Sequence, residues 1–306
     1  MLKTGTGIIA HDTKSIAGTF HRTVRREASL ADFTSFRIGG IARWLFRPTD
    51  GRETETLLGA FGGRPCRILG GGTNILAASE IIEEPVIILP PETTWEILEQ
   101  SDNRVLIRAA AGMPLAALVR ETVARRMSGL EALAGIPGTV GGAAVMNAGG
   151  KYGCIGDRIK RVEAHDRDGV GRVLDREELV FGYRTSNLRG LTVTGVTLSL
   201  ERRRHIETLT RLQEILYEKR ATQPLGQKCA GCIFKNPAGY SAGKLIEEAG
   251  MAGVGCGDAV VSRLHANFIV NCGRATAADV LRLIEIVRKK IESEFALALE
   301  LEIDIW

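Results

Sequence analysis

The stretch "GLEALAGIPGTVGGAAVMNAGG", residues 129–150, decides the fold. Its glycines surround Pro137, Thr139 and Asn147, and glycine lets a backbone adopt a positive φ and approach a ligand closely. A run with so few large side chains packs no core of its own, and it suits a backbone wrapped around a large flat or phosphorylated ligand. The structural alternative is a glycine-rich interface between packed helices.

A second glycine cluster lies about 65 residues upstream, in "ILGGGTNIL", residues 68–76. Successive backbone N–H groups of glycines can form a concave anion site, and Thr73 and Asn74 add side-chain donors. The stretch matches neither a P-loop nor the G-x-G-x-x-G pattern, so alone it is more typical of a tight structural turn. Together the two clusters favour a dinucleotide ligand.

Composition and charge are those of an ordinary globular protein. The 306 residues carry 40 Lys and Arg against 36 Asp and Glu, a net charge of +4, and 44% are hydrophobic. The length allows two or three domains, and the small charge gives no support to nucleic-acid binding. No apolar run approaches the ~20 residues that span a bilayer, and the N-terminus lacks the apolar core of a signal peptide. We therefore expect a cytoplasmic protein without membrane insertion.

Cysteine spacing raises the question of a metal site. Cys229 and Cys232 lie three positions apart in "KCAGCIFKNP", as in half of a zinc site or a redox pair. The other four cysteines offer no second pair at ligand spacing, so we expect no metal, and in a reducing compartment we expect thiols. A disulfide between Cys229 and Cys232 under oxidative stress stays an open alternative.

Hydrophobic patterns indicate a chain of mixed α and β structure. Helices are predicted over 50–61 with Asp50 as N-cap, 113–127, 207–224, 241–250, and 276–295 with a capping box of Thr276 and Asp279. Strands are predicted over 42–48, 66–69, 86–90, 104–112, 191–200, 267–271 and 296–306, with a hairpin over 158–174 turning at Asp168-Gly169. We expect residues 1–25 to be a flexible extension and place the main domain boundary at 207.

Eight ordered motifs resemble the UDP-N-acetylenolpyruvoylglucosamine reductases, the flavoproteins of early peptidoglycan synthesis. They are "TSFRIGG", "LGGGTNIL", the stretch 129–150, "FGYRTS", "AGCIFKNP", "AGKLIEEAG", "HANFIVN" and a terminal acidic strand, and they cover about residues 33–305. The chain passes from "FGYRTS" directly into the next strand. That resembles the shorter class of the family, which lacks an inserted tyrosine-bearing substrate loop.

The resemblance implies an α+β fold and a reaction. A two-lobed FAD-binding domain of the vanillyl-alcohol-oxidase type is expected over 26–206, with lobes of about 26–85 and 86–206, and a smaller α+β substrate-binding domain over 207–306. NADPH is expected to reduce FAD, which passes hydride to C3 of the enolpyruvyl ether of a UDP-sugar while a proton adds to C2. The product is UDP-N-acetylmuramate, and no obligate protein partner is implied.

The resemblance also assigns residues, motif by motif. The catalytic positions are Arg184, Cys232, where the family most often has a serine as proton donor, and Glu302. The substrate-binding positions are Tyr183, Arg184, Lys235 and Asn236. The FAD-binding positions are Gly70, Gly71, Gly72, Thr73, Asn74, Gly135, Ile136, Pro137, Gly138, Thr139, Gly141, Gly142, Asn147 and Gly149. His265 and Asn267 match a stretch to which the resemblance assigns no contacts.

Elementary chemistry is compatible with the three catalytic assignments. Arg184 can offer two N–H groups in fork geometry to a carboxylate on which negative charge develops. A thiol with a pKa near ~8.5 is mostly protonated at neutral pH and is a stronger acid than a serine hydroxyl, so Cys232 can serve as proton donor. An ionised Glu302 would repel the anion, so Glu302 must be protonated or must orient another group.

Two other functions compete with this reading. One is an oxidase or dehydrogenase of the same flavoprotein fold, against which "AGCIFKNP" and the acidic strand with Glu302 argue. The other is a non-catalytic module that binds a nucleotide sugar, or zinc through Cys229 and Cys232. Two observations distinguish the three functions: whether the protein binds flavin, and which compound reoxidises the reduced flavin.

Overall fold

The computed structural model describes residues 6–167 and 169–306. The α-helices are α1 (Thr6–Thr19), α2 (Gly51–Phe61), α3 (Leu115–Ala124), α4 (Val140–Val145), α5 (His205–Thr222), α6 (Ala242–Glu248) and α7 (Ala277–Phe295). Single turns of 3-10 helix lie at Leu30–Asp32, Glu131–Leu133, Ile155–Asp157 and Arg176–Glu178. Within this described part, no helix is both long enough and apolar enough to cross a membrane.

Most strands are short. They are β1 (Val24–Ser29), β2 (Ile41–Phe46), β3 (Arg67–Leu69), β4 (Ile75–Leu76), β5 (Ile81–Ile82), β6 (Val86–Ile88), β7 (Trp95–Gln100), β8 (Arg104–Ala110), β9 (Met127–Ser128), β10 (Gly149–Gly150), β11 (Gly153–Cys154), β12 (Ile159–His165), β13 (Gly171–Asp175), β14 (Phe181–Gly182), β15 (Thr185–Ser186), β16 (Thr192–Arg202), β17 (Gly255–Cys256), β18 (Ala259–Val261), β19 (Ile269–Asn271) and β20 (Asp304–Ile305).

The chain forms two compact units, each built from several stretches. The first unit contains residues up to 28, then 42–71 and 83–216, and the second contains 29–41, 72–82 and 217–306. The predicted boundary at 207 divides the chain into two continuous segments, whereas each observed unit contains three stretches of chain. It differs from the structure because β20 pairs in parallel with β4, which places part of the early chain in the second unit, and because the chain changes units inside α5.

The first unit begins with a sheet in the order β1-β2-β6-β3. The pairing of β6 with both β2 and β3 is parallel, so β6 belongs to this sheet although it lies just past the predicted lobe boundary at about 85/86. Helix α2 begins after Asp50, whose Oδ1 accepts a hydrogen bond from Glu53 N at 2.8 Å, as an N-cap does. That predicted cap is confirmed.

The structure corrects the predicted flexible extension over residues 1–25. Helix α1 occupies Thr6–Thr19, and Ile16, Ala17 and Phe20 are buried in one apolar cluster with residues of β2 and α2 such as Phe46. Because burial of such side chains is favourable, the end of α1 and Phe20 are fixed by packing. Residues 1–5 lie outside the described residues.

A second sheet of the first unit has the order β13-β12-β16-β8-β7 and is antiparallel throughout. It confirms the predicted strands over 104–112 and 191–200 and the hairpin over 158–174. The predicted turn residue Asp168 lies outside the described residues. Helices α3 and α4 share this sheet's apolar core, which includes Leu118 and Val140.

The second unit combines the sheet β17-β18-β19 with α6, α7 and the β4–β20 pair. The predicted capping box is confirmed, since Thr276 Oγ1 accepts from Asp279 N at 3.1 Å and Asp279 Oδ2 accepts from Thr276 N at 2.8 Å. The predicted continuous strand over 296–306 is wrong. The segment first bridges Leu301 to Phe234 and then changes partner, so only Asp304–Ile305 forms a strand with β4.

Candidate active site

The two glycine clusters meet within the first unit. A Cβ built on Gly70, directly after β3, would lie 2.8 Å from Thr139 Oγ1. Thr139 is the N-cap of α4, and its Oγ1 accepts a hydrogen bond from Gly142 N at 3.3 Å. Stretches about 65 residues apart in sequence therefore lie backbone against side chain, at a distance that only glycine at position 70 allows.

The longer glycine segment turns through conformations that favour glycine. Gly135 has φ +73° and Gly138 has φ +113°, and a Cβ on Gly141 would lie 2.7 Å from Ala111 Cβ. Helix α4 can therefore pack closely against the chain that follows β8. Pro137 is exposed, and Ile136 is half-buried. The resulting surface presents main chain and small side chains, which is the form a flat phosphorylated ligand needs.

The chain beyond Gly71 belongs to the second unit and contacts other segments of that unit. A Cβ on Gly72, where φ is +61°, would lie 2.0 Å from Phe33 O. Asn74 Nδ2 donates to Glu302 O at 3.1 Å, and Asn74 O accepts from Asp304 N at 2.9 Å. Asn74 is predicted to bind the cofactor, and its amide also holds the main chain at the predicted catalytic Glu302.

Asn147, which is also predicted to bind the cofactor, contacts main chain through its side chain. It is 7% exposed and has φ +44°. Its Nδ2 donates to Gly182 O at 2.9 Å, and its Oδ1 accepts from Gly156 N at 3.1 Å. The amide is therefore engaged by the main chain at both ends.

Arg184 lies at the tip of the hairpin formed by β14 and β15. Its φ is +55°, a conformation that is uncommon outside glycine and asparagine. Its Nη1 donates to Gly149 O at 2.7 Å, and its Cζ lies 5.4 Å from the ring centroid of Tyr183, which is 54% exposed. From β15 the chain reaches β16 through residues 187–191 alone, which agrees with the predicted short class.

Cys232 and Glu302 lie on neighbouring segments of the second unit. Cys232 forms a β-bridge with Phe268. On the other side of this segment, Glu302 N donates to Ile233 O and Lys235 N donates to Glu300 O, both at 2.8 Å. The stretch 232–235 is therefore held between 267–268 and 300–302, and two of the predicted catalytic residues are brought together in this unit. Arg184 belongs to the first unit.

Asn267 clamps the Cys232 segment, a role that sequence reasoning missed. Its Oδ1 accepts from Phe234 N at 3.0 Å and its Nδ2 donates to Phe234 O at 2.8 Å, while its own carbonyl accepts from Ile233 N at 2.8 Å. The motif "HANFIVN" contains Asn267, but a motif does not reveal which backbone an amide contacts.

The predicted substrate residues Lys235 and Asn236 follow the same segment. Lys235 Nζ lies 3.3 Å from Glu300 Oε2 in a partly exposed ion pair. Asn236 Oδ1 accepts from Ala242 N, the first residue of α6, at 2.9 Å. Nearby, burial lowers the pKa of His265, whose Nδ1 accepts from Asn267 N at 3.3 Å. His265 is therefore neutral at physiological pH and contributes packing and an acceptor.

Cys229 is structurally distinct from Cys232. Burial raises the pKa of its thiol, and its carbonyl oxygen accepts from Ser35 Oγ at 2.6 Å. Across residues 6–167 and 169–306, no three His, Cys, Asp or Glu side chains gather as a metal site would require.

Family comparisons cover both units. Residues 43–175 match the FAD binding domain, and residues 223–306 match the UDP-N-acetylenolpyruvoylglucosamine reductase, C-terminal domain. A UDP-N-acetylenolpyruvoylglucosamine reductase of Moorella thermoacetica is 41% identical over 281 residues, which is 90% of this chain and 91% of that protein. The chain belongs to the UDP-N-acetylenolpyruvoylglucosamine reductase family.

Other members of the reductase family agree over nearly the whole chain. The reductase of Chloroherpeton thalassium is 39% identical over 298 residues, with 94% of each chain covered. The crystal structure of the reductase from Thermus caldophilus is 40% identical, with a TM-score of 0.79 over 92% of this chain and 98% of that one. The predicted α+β fold class and the recognition of the reductase family are confirmed.

The matched FAD binding domain also confirms the predicted cofactor class. The residues present fit FAD: Gly70 lies against Thr139, and Gly135 and Gly138, which have positive φ angles and no side chains, are half-buried. The roles of individual residues in reductase chemistry stay predictions.

Proposed function

We propose that this protein catalyses the NADPH-dependent, FAD-mediated reduction of UDP-N-acetylglucosamine enolpyruvate to UDP-N-acetylmuramate, a step of peptidoglycan precursor synthesis. The observation that carries the proposal is membership of the reductase family at about 40% identity over more than 90% of the chain of a solved relative. The partner is a small UDP-sugar, with neither a nucleic acid nor an obligate protein partner. We place the reaction in the cytoplasm, where NADPH is supplied.

FAD held at the two glycine clusters would supply hydride for C3 of the enolpyruvyl group, with NADPH as the source of that hydride. Addition at C3 leaves an electron pair at C2 that delocalises into the neighbouring carboxylate. Fixed positive charge is most effective where such charge develops. A guanidinium can offer two N–H groups in fork geometry to a carboxylate, and we assign that of Arg184 to this one.

Cys232 gives the proton that completes the reaction at C2. The S–H bond breaks, the electron pair at C2 forms the new C–H bond, and the thiolate is reprotonated from solvent. Hydride and proton together reduce the double bond, so the sum is NADPH, one proton and substrate in, and NADP⁺ and product out. The clamp formed by Asn267 and the pairing with 300–302 hold the segment of Cys232 in one position.

Glu302 has a main chain that is fixed from two directions, by Ile233 O and by Asn74 Nδ2. An ionised carboxylate facing the anion would raise the barrier, so the role we assign to it requires the protonated form or a contact with another polar group. Lys235 and Asn236, in the next positions after the clamp, are assigned to the substrate, as is Tyr183 beside Arg184.

The test of the catalytic assignment uses the absorption spectrum of the flavin under anaerobic conditions. We expect NADPH to bleach the yellow colour and the enolpyruvyl substrate to restore it in the wild type and in Cys232→Ser. Cys232→Ala should be bleached normally and restored ~10²–10⁴-fold more slowly, because a general acid has been removed. Cys229→Ala is the matched control, and it should behave as the wild type.

Three results would contradict these assignments at different levels. Reoxidation of Cys232→Ala as fast as the wild type would be compatible with the reductase function but would reject Cys232 as the proton donor. Return of the colour with oxygen but not with the enolpyruvyl substrate would indicate an oxidase. A protein that binds no flavin and takes up stoichiometric zinc would overturn the proposal as a whole.

A further inference from the structure

The hairpin of Arg184 is fastened to the end of the longer glycine segment at three points. Ser186 Oγ donates to Val145 O at 2.7 Å, Asn147 Nδ2 donates to Gly182 O at 2.9 Å, and Arg184 Nη1 donates to Gly149 O at 2.7 Å. Val145 thus contacts the second strand of the hairpin, Asn147 contacts the first strand, and Gly149 contacts the tip. All of these residues lie in the first unit.

Asn147 is the central contact and the one whose residue type is most restricted. Its φ of +44° lies in the left-handed region, which Gly and Asn adopt more readily than other residues. Of these two, only Asn has an amide that can donate to Gly182 O and accept from Gly156 N. Position 147 therefore needs both the conformation and the amide of asparagine.

Close packing prevents this contact from shifting. A Cβ on Gly156 would lie 2.7 Å from Asn147 Oδ1 and 2.7 Å from Phe181 Cγ. Asn147, Gly156 and Phe181 therefore interlock at the base of the hairpin. Arg184 itself has φ +55°, and such a conformation in a non-glycine residue persists where its surroundings fix it.

We propose that Asn147 is the positioning residue for Arg184: its amide fixes the hairpin at Gly182 and so places the guanidinium for the developing carboxylate charge. This inference rests on the proposed function for the role of Arg184, and it replaces the predicted contact between Asn147 and FAD. Loss of the amide releases the tip of the hairpin, so the guanidinium leaves its place while the glycine backbone that fits FAD is kept.

The test separates the two half-reactions in Asn147→Gly, which tolerates the positive φ and lacks the amide. We expect flavin content and the rate of bleaching by NADPH to stay within about twofold of the wild type. The rate of reoxidation by the enolpyruvyl substrate should fall by about tenfold to 10²-fold, the size expected when a catalytic group is misplaced by about 1 Å. Asn147→Asp, which keeps the acceptor and loses the donor, should show the same defect.

A double variant distinguishes positioning from general destabilisation. If Asn147 acts through Arg184, then Asn147→Gly combined with Arg184→Ala should reoxidise no more slowly than Arg184→Ala alone. Gly156→Ala, which presses on Asn147 and Phe181, should resemble Asn147→Gly. The matched control is Thr122→Val, because the buried Thr122 hydroxyl also bonds main chain, at Leu118 O (2.9 Å) and Val119 O (3.0 Å), but lies in α3 and not in the hairpin. It should stay within about twofold of the wild type.

Additive effects in the double variant, an equal defect in Thr122→Val, or loss of flavin from Asn147→Gly would each overturn the inference. The last result would restore Asn147 as a cofactor ligand. Failure of the wild type to turn over the substrate would instead reject the proposed function. Amide hydrogen exchange of residues 181–186 then decides the structural claim: faster exchange in Asn147→Gly supports it, and unchanged exchange rejects it.

Discussion

At the scale of single residues, main-chain geometry limits which residue type can occupy position 72. Gly72 has φ +61°, its carbonyl oxygen accepts from Ser35 N at 2.9 Å, and a Cβ there would lie 2.0 Å from Phe33 O. The obstacle is a backbone atom, which cannot rotate away as the end of a flexible side chain can. Position 72, where the chain passes from the first unit into the second, therefore requires glycine for steric reasons, before any ligand is considered.

Replacing Gly72 with alanine should lower the free energy of unfolding by about 3 kcal/mol, because a clash with main chain adds to an unfavourable φ. Gly59→Ala is the matched control: Gly59 lies within α2, and a Cβ there meets nothing within 4 Å. This control should gain about 0.5–1 kcal/mol, since alanine favours a helix over glycine. Urea unfolding of both variants measures the difference, and equal stabilities would contradict the steric argument.

Contacts between residues can be predicted from sequence where they are local, and not where they depend on distant partners. The glycine clusters indicated a cofactor surface, and Gly70 and Thr139 do meet. Asn74 and Asn147 were assigned to FAD because they stand inside those clusters. Their amides also bond Glu302, which is 228 positions away, and Gly182, which is 35 positions away. The periodicity of a sequence does not indicate contacts between residues so far apart.

At the scale of elements, an ion pair crosses strand β16 and joins two strands that pair with it. Gly195 in β16 pairs with Ala110 of β8 on one side and with Glu163 of β12 on the other. Arg108 Nε, from β8, donates to Glu163 Oε1 at 2.8 Å, and a Cβ on Gly195 would lie 2.7 Å from Glu163 Oε2. The glycine leaves room for two outer strands to be linked over the central one.

The ion pair predicts a pH-dependent contribution to stability. Hydrogen bonding to Arg108 holds the pKa of Glu163 below its usual value of about 4.3. A lowered pKa in the folded state stabilises the fold above about pH 4.3, and this stabilisation is lost as the pH falls through the lowered pKa. Because both side chains are about one-third exposed, at 34% and 31%, we expect Glu163→Gln to cost only about 1 kcal/mol near pH 7.

Urea unfolding at several pH values checks this expectation. The gap between wild type and Glu163→Gln should narrow as the pH falls below about 4, because the wild-type carboxylate then takes up a proton. Glu83→Gln is the control, since Glu83 pairs with Arg43 in the same unit at a more exposed place, and its loss should be smaller. A gap that is constant with pH would show that packing, and not charge, is responsible.

Capped helices were the elements predicted most accurately, because cap and periodicity are encoded within a few residues. Helix α7 was expected over 276–295 and spans Ala277–Phe295. Helix α1 was missed because its segment is polar in sequence and its burial depends on Phe46 and α2. The last strand was overextended, because an alternating pattern does not reveal a change of partner between Phe234 and β4.

At the scale of the whole molecule, the core of the second unit is assembled from distant parts of the chain. Phe36, Ile38 and Leu76 are buried with residues of α6 and α7. Asn271 Nδ2 also donates to Phe36 O at 3.1 Å, across 235 positions of sequence. The segment after α5 is therefore an incomplete domain by itself, although its own family match covers residues 223–306.

A fragment of residues 217–306 should consequently fail to fold cooperatively. It lacks the three apolar side chains contributed by 29–41 and 72–82, and it lacks β4, the partner of β20. Buried side chains of this size contribute roughly 1.5–3 kcal/mol each, which is a large part of a small domain's stability. The measurement is thermal unfolding followed by near-UV circular dichroism, with the full chain as control. A sharp transition in the fragment would contradict the expectation.

The pairing of β4 with β20 also has a consequence during synthesis. A ribosome adds roughly 5–20 residues per second, so β4 leaves it on the order of 10–45 s before β20 exists. Throughout that interval Phe36, Ile38 and Leu76 have no finished core to enter. Newly made chains should therefore occupy chaperones until the last strand emerges, and the supply of chaperones should limit the yield of folded protein when expression is fast.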